Sequence, residues 1–323
     1  MRLADRWRLL LLTALVCGFA APAAAQAPIV PPPAEAAEEG AAEILAVGID
    51  RNDRMTVDVR IDGGGPYAFL VDTGSERTAI STELAQTLGL EAAKQVRLHS
   101  MSGISLVDTV RIPKLEVSSA TSHNIVAPAF ERANLGAVGM LGIDSLRDQR
   151  VLLDFKARTM AIRPSSKRQR PEDWGRDTIV VRARSKLGQL ILTDASIDDR
   201  RVRVVIDTGA EVSVGNAALR RLLTRRRLAV EPKPIELISV TGGRIAAAYT
   251  MIDEIRIGGI VITGMPVAFA DAHAFRAFGL TRQPALLLGM DALRMFDKVS
   301  VDFANRTVSS LLGEPSPTRT AAR

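Results

Sequence analysis

The chain has 323 residues, 47% of them hydrophobic and 24% charged, the balance of a soluble globular protein long enough for two cores of ordinary domain size. Aromatic residues make up 4%, so those cores must be built from Val, Ile, Leu and Ala. The net charge of +6 comes from basic residues spread along the chain with no nucleic-acid motif among them, which points to a solvated surface and away from a nucleic-acid partner.

In chain order, residues 1–25 read as an export signal: basic "MRLADRWR", the apolar run "LLLLTALVCGFA", then "APAAAQ", whose small residues suit cleavage after Ala25. The apolar run is short for a membrane span, and cleavage would leave a mature chain with no membrane segment; retained, it would act as a tether. Cys17 is the single cysteine and leaves with the signal, and Val16 before it does not suit lipid attachment. The exported chain would then have no disulfide, no thiol nucleophile and no cysteine metal site, and it would be periplasmic or secreted. Residues 26–43, rich in Pro, Ala and Glu, cannot bury a core and read as a disordered linker.

Folded sequence begins near Ile44. "MTVDVRI" alternates apolar and polar residues as a half-buried strand does, "DGGGP" supplies a turn, and "YAFLVD" returns as a buried strand. That strand runs into Asp72-Thr73-Gly74-Ser75, and Ser81 opens a short helix as its N-cap. "KQVRLHSMSGISLVDTVRI" reads as a hairpin with Met101, Ser102 and Gly103 at its tip. "MLGIDSL" is a strand, a Gly and a helix start at Asp144, and "LDFKARTM" is a hairpin that turns at Asp154. The polar, basic stretch 165–176 then separates this first lobe, 44–164, from a second.

The second lobe, 177–312, repeats the first in the same order. "VVIDTGAEVSVGN" carries Asp207-Thr208-Gly209-Ala210, 135 residues after its counterpart, and Asn216 caps a helix where Ser81 did. "LRRLLTRRRL" reads as an amphipathic helix with an arginine-rich solvated face. "PIELISVTGGRIAAAYTMI" is the second hairpin, with Thr241, Gly242 and Gly243 at its tip, and "LLGMDAL" with Asp291 and "VDFANRTV" with Asp302 complete the copy. Residues 313–323 form a polar tail. His99, His123 and His273 have no metal spacing and read as surface or hairpin residues. Each lobe is expected to be a small, closed, mostly antiparallel β unit with one or two short helices.

Two apolar-apolar-Asp-Thr-Gly-Ala/Ser motifs, each followed by a Gly-tipped hairpin and a late apolar-apolar-Gly strand before a helix, resemble the retropepsin-like aspartic peptidases, in particular their exported bacterial members. The resemblance covers nearly all of the chain between Ile44 and Leu312. It implies a mainly all-β fold of two homologous lobes in a pepsin-like bilobal pseudo-dimer, with few short helices. It also implies that Asp72 and Asp207 are the catalytic pair and that Thr73 and Thr208 interlock beneath them. Thr73, Gly74, Ser75, Thr208, Gly209 and Ala210 would form the active-site loops, with Met101, Ser102, Gly103, Thr241, Gly242 and Gly243 in substrate-binding flaps. The substrate would be a polypeptide, with no cofactor or metal, and the chain would work as a monomer.

The chemistry accounts for the duplication. Hydrolysing a peptide without metal or nucleophilic side chain needs one group to activate water and another to protonate the leaving amide. Two adjoining carboxylates sharing one proton provide both, because like charges about 3 Å apart cannot both ionise readily, and aspartic proteases are the type case of such a pair. One aspartate must come from each lobe. Two departures from the family pattern bear on the site: "AEVSVGN" after Gly209 predicts a differently shaped second loop, and the first flap has no tyrosine. A chain that kept the fold only to bind peptides, or to assemble through its sheet edges, is the alternative; intact Asp72 and Asp207 favour hydrolysis.

Overall fold

The computed structural model describes residues 43–45, 48–49, 55–175, 177–186, 189–192, 194–224 and 231–312. The export-signal and tail readings fall outside these residues, as do most of the N-terminal linker and the end of the arginine-rich helix.

The first lobe is an eight-stranded sheet closed on itself. Strand Met55–Ile61 pairs with Gly64–Val71 on one side, and its last residues pair with Ile104–Val117 on the other. The turn between the first two strands is Asp62–Gly63, both at positive φ (49° and 81°), so the glycines after Gly63 belong to the returning strand. Buried positions along Met55–Ile61 follow its alternation, with Val57, Val59 and Ile61 inward and Asp58 and Arg60 outward. The second lobe repeats these pairings, with the first strand broken into Gln189–Leu192 and Ala195–Ile197.

Each lobe contains three short helices among the described residues, more than the one or two expected: Thr82–Thr87, Arg132–Leu135 and Ile143–Leu146, then Ala217–Leu223, Ala274–Ala277 and Met290–Leu293. Four of these span four residues, too short to leave an apolar period in the sequence. The predicted caps are in place: Ser81 accepts from the Leu84 amide at 3.1 Å and Asn216 from the Leu219 amide at 2.8 Å.

The sheets are not wholly antiparallel, and the exceptions position the site. Gly64–Val71 lies parallel to Gly139–Leu141, and Arg203–Ile206 parallel to Ala285–Leu288. The late apolar strand of each copy therefore lies beside the strand that delivers the aspartate. Its end catches the loop: the Asp72 amide donates to Leu141 at 2.9 Å and the Asp207 amide to Leu288 at 3.0 Å.

The lobes are joined by strands running in the order Glu43–Leu45, Thr159–Pro164, Gln149–Asp154, Lys298–Asp302, Thr307–Leu311 and Thr178–Lys186. At its centre, Gln149–Asp154 of the first lobe and Lys298–Asp302 of the second pair antiparallel about Leu152 and Ser300, the arrangement of two equivalent strands across a pseudo-twofold axis. Val151 and Leu153 enter one apolar core with Val299 and Val301, so the lobes share a core as well as a sheet.

Asp154 and Asp302 do close hairpins, accepting from the amides of Ala157 at 2.8 Å and Asn305 at 2.9 Å. They also pair across the lobes: Asp302 with Arg150 at 2.7 Å and Asp154 with Lys298 at 2.9 Å. Residues 165–172 of the interlobe stretch are stitched to the same place, since Ser165 donates to Asp302 and Arg150 also reaches Glu172 and the Arg170 carbonyl.

Candidate active site

Asp72 and Asp207 sit at the ends of equivalent strands, and the lobe interface brings their loops together. Beneath them, Thr73 and Thr208 are both buried and exchange hydrogen bonds: the Thr73 amide donates to Thr208 Oγ1 at 3.0 Å and the Thr208 amide to Thr73 Oγ1 at 3.2 Å. Each hydroxyl then donates to the other lobe's main chain, Thr73 to Ile206 at 3.0 Å and Thr208 to Val71 at 2.6 Å. A threonine at each position supplies donor and acceptor from one oxygen, which this crossed pattern requires.

The glycines are set by the opposite aspartate. A Cβ on Gly74 would lie 2.5 Å from the Asp207 carboxyl carbon, and one on Gly209 would lie 2.3 Å from that of Asp72. No side chain fits, and the two carboxyls can therefore come within hydrogen-bonding range of each other. The Gly74 amide holds Asp72 Oδ1 at 2.7 Å, and the Ala210 amide holds Asp207 Oδ1 at 3.1 Å. Burial pushes the Asp207 carboxyl above the usual aspartate range, against the hydrogen bonds from Ala210, Asp72 and Gly209 that pull it down. A raised carboxyl beside a second one is the electrostatic condition for sharing a proton.

The two loops make matching bonds despite their different sequences, which overturns the expectation of a differently shaped second loop. Ile143 donates to Ser75 and Met290 to Ala210, each at 2.9 Å. Thr78 in the first loop and Ser213 in the second provide the same hydroxyl. Thr78 donates to Asp144 at 2.7 Å and accepts from the Gly142 amide; Ser213 donates to Asp291 at 2.6 Å and accepts from the Gly289 amide. Asp144 and Asp291 thus brace the loops as well as opening helices. Sequence reasoning passed over Thr78 and Ser213, although a hydroxyl six residues after the aspartate in both copies was the available signal. Ser75 turns its hydroxyl to the Arg77 carbonyl at 2.9 Å, toward its own loop.

The hairpin tips meet over the cleft. Ser102 Oγ and Thr241 Oγ1 are 3.4 Å apart, and a Cβ on Gly243 would lie 2.2 Å from Ser102 Oγ. Gly103 and Gly242 both take positive φ, 146° and 77°, which a hairpin tip demands and glycine supplies. Met101 packs against an apolar cluster of the second lobe, and Val240, its counterpart in the repeat, packs against one of the first. The first hairpin is also held by its neighbours: the His273 amide donates to the Met101 carbonyl at 2.8 Å, and the His99 and His273 rings stack with Nδ1 and Nε2 3.0 Å apart.

Between tips and carboxyls lies a cavity of about 950 Å³. Asp72, Asp207, Gly74 and Gly209 form its floor, and Leu98, Phe130, Met140, Leu237 and Phe278 are among its apolar walls. An apolar cleft with a few convergent polar groups has the make-up of a ligand-binding site.

A search of the curated proteins finds no match. The family model described as "Aspartyl protease" matches residues 57–145 and 193–292, one stretch in each lobe and together more than half of the chain. With two retropepsin-like lobes, each carrying its own Asp-Thr-Gly loop, the chain belongs to the aspartyl protease family.

Proposed function

We propose that the protein is an aspartic endopeptidase in which Asp72 and Asp207 act together on a peptide bond of an extended polypeptide. The observation that carries this reading is the reciprocal packing of each loop glycine against the other lobe's aspartate, which leaves room for the two carboxyls to meet. One carboxylate takes a proton from water as it attacks the carbonyl, and the other, protonated, gives its proton to the departing amide nitrogen. The flap hairpins would part to admit the chain and close over it, excluding bulk water from the reacting bond.

Each lobe supplies half of the pair, so the working unit is proposed to be a monomer. The N-terminal segment supports export to the periplasm or beyond, with the signal removed and no membrane segment retained; among the described residues no helix is long and apolar enough to cross a membrane. A polypeptide is the proposed partner, and neither nucleic acid nor a cofactor enters the reaction.

The test is cleavage of a peptide library by the mature chain, with Asp72→Asn and Asp207→Asn as controls. Cleavage abolished in both supports the pair; cleavage persisting in either would sink it. Binding of peptides without turnover by the unaltered chain would favour the peptide-binding alternative.

A further inference from the structure

Gln189 opens the strand Gln189–Leu192 of the second lobe and is buried, with 4% of its surface exposed. The ladder pairs Ile191 with Val205 and Leu192 with Val204, and continuing it two residues sets Gln189 opposite Asp207. Its Nε2 crosses the lobe boundary and donates to the carbonyl of Gly74, in the loop that carries Asp72. This contact fixes the amide's orientation, since the reverse would put two oxygens together. Oε1 is therefore directed away from Gly74, where it is buried and has no hydrogen-bond partner among the described residues. The residue lines the cleft with Asp72, Gly74, Asp207 and Gly209.

A buried amide oxygen without a donor is costly, and a structure keeps one where something else supplies the donor. An extended peptide in this cleft brings a row of main-chain N–H groups. We propose that Gln189 is a positioning and substrate-contacting residue: Nε2 holds the Gly74 carbonyl and with it the Asp72 loop, and Oε1, covered in the unliganded protein, is uncovered as a peptide enters the cleft and accepts one of its main-chain N–H groups beside the scissile bond. The second half rests on the peptidase reading; the first does not.

Both halves are tested on the full mature chain with Gln189→Met, which keeps the length and removes both polar atoms, and Gln189→Glu, which keeps the acceptor. Hydrogen exchange of the amides at 74–76 reads the clamp without reference to activity. Exchange about tenfold faster in Gln189→Met, with an unchanged urea midpoint for global unfolding, is expected; equal exchange would overturn the clamp. For the contact, kcat/KM is compared between a cleaved peptide and esters of it in which one main-chain N–H at a time is replaced by oxygen. In the unaltered chain one position is expected to cost about tenfold, the size of one net hydrogen bond. Gln189→Met should process that ester and the parent peptide alike, and Gln189→Glu should restore the difference. Undiminished discrimination in Gln189→Met would overturn the contact. Absence of any cleavage by the unaltered chain would remove the peptidase reading and the contact together, leaving the clamp to be decided by exchange.

Discussion

Arg150 of the first lobe and Asp302 of the second form an ion pair at 2.7 Å, with 7% and 2% of their side chains exposed, at one end of the central strand pair that joins the lobes. Ser165 and Asn305 complete the hydrogen bonding of the aspartate, and Glu172 and the Arg170 carbonyl that of the guanidinium. Removing one member of a buried pair strands the other's charge, so Asp302→Asn or Arg150→Met should each lower unfolding free energy by about 3–5 kcal/mol. The double change Arg150→Met with Asp302→Leu should recover much of that loss. Urea denaturation of the three variants checks this, and a double change no better than the singles would count against it.

The pH dependence of stability should have two limbs. Desolvation raises the Asp302 carboxyl, but hydrogen bonds from Asn305, Arg150 and Ser165 outweigh it and hold the group below the usual range; Asp154 is likewise depressed, chiefly by the Ala157 amide and Lys298. Below about pH 3.9, the unfolded chain takes up protons that these folded carboxylates refuse, so stability falls as the solution is made more acid. Asp207 and Asp291 are raised by burial, and above the same pH the folded chain holds protons that the unfolded chain has released. Their contribution is full below the unfolded value and is lost as pH rises through the folded ones. Thermal unfolding should therefore show greatest stability on the acid side of neutral, and a melting temperature rising monotonically from pH 4 to pH 8 would contradict it.

Asp207→Asn separates activity from stability. The amide keeps the shape and cannot ionise, so peptide hydrolysis should be lost while the cost of burying a charge at neutral pH disappears. The variant should melt at a higher temperature than the parent at pH 8, with the difference shrinking toward pH 4. Assay and melting curves on the same preparation give both readouts.

For the parent, kcat/KM should be bell-shaped in pH, because both fully protonated and fully ionised pairs are inactive. A statin-type peptide, whose hydroxyl mimics the tetrahedral intermediate between the carboxyls, should inhibit. Activity increasing steadily into alkaline pH would exclude the paired-carboxylate mechanism.

The crossed packing of Met101 and Val240 ties each hairpin tip to the other lobe, so on the proposed function closing the hairpins over a peptide would involve both lobes together. Met101→Ala should leave the folded core intact, since the side chain is only partly buried, and should reduce kcat/KM about tenfold through a weaker closed state. A Val240→Ala change should act in the same direction, and their combined effect should be less than additive because each loosens the same closure.

Much of the molecule was legible in the sequence because the chain states its design twice. Asp72 and Asp207, the capping Ser81 and Asn216, and the glycines at the hairpin tips depend on local geometry, and local geometry leaves a pattern in adjacent residues. Duplication then distinguishes pattern from accident. What the sequence could not disclose depends on partners far along the chain. Arg150 and Asp302 lie 152 residues apart, Gln189 and Gly74 lie 115 apart, and His99 and His273 lie 174 apart. None of these residues has a neighbour in sequence that demands it. The fold decides them by closing each sheet and joining the lobes, which brings a polar group of one into the buried surface of the other, where it must be paired or aimed at something that will pair it.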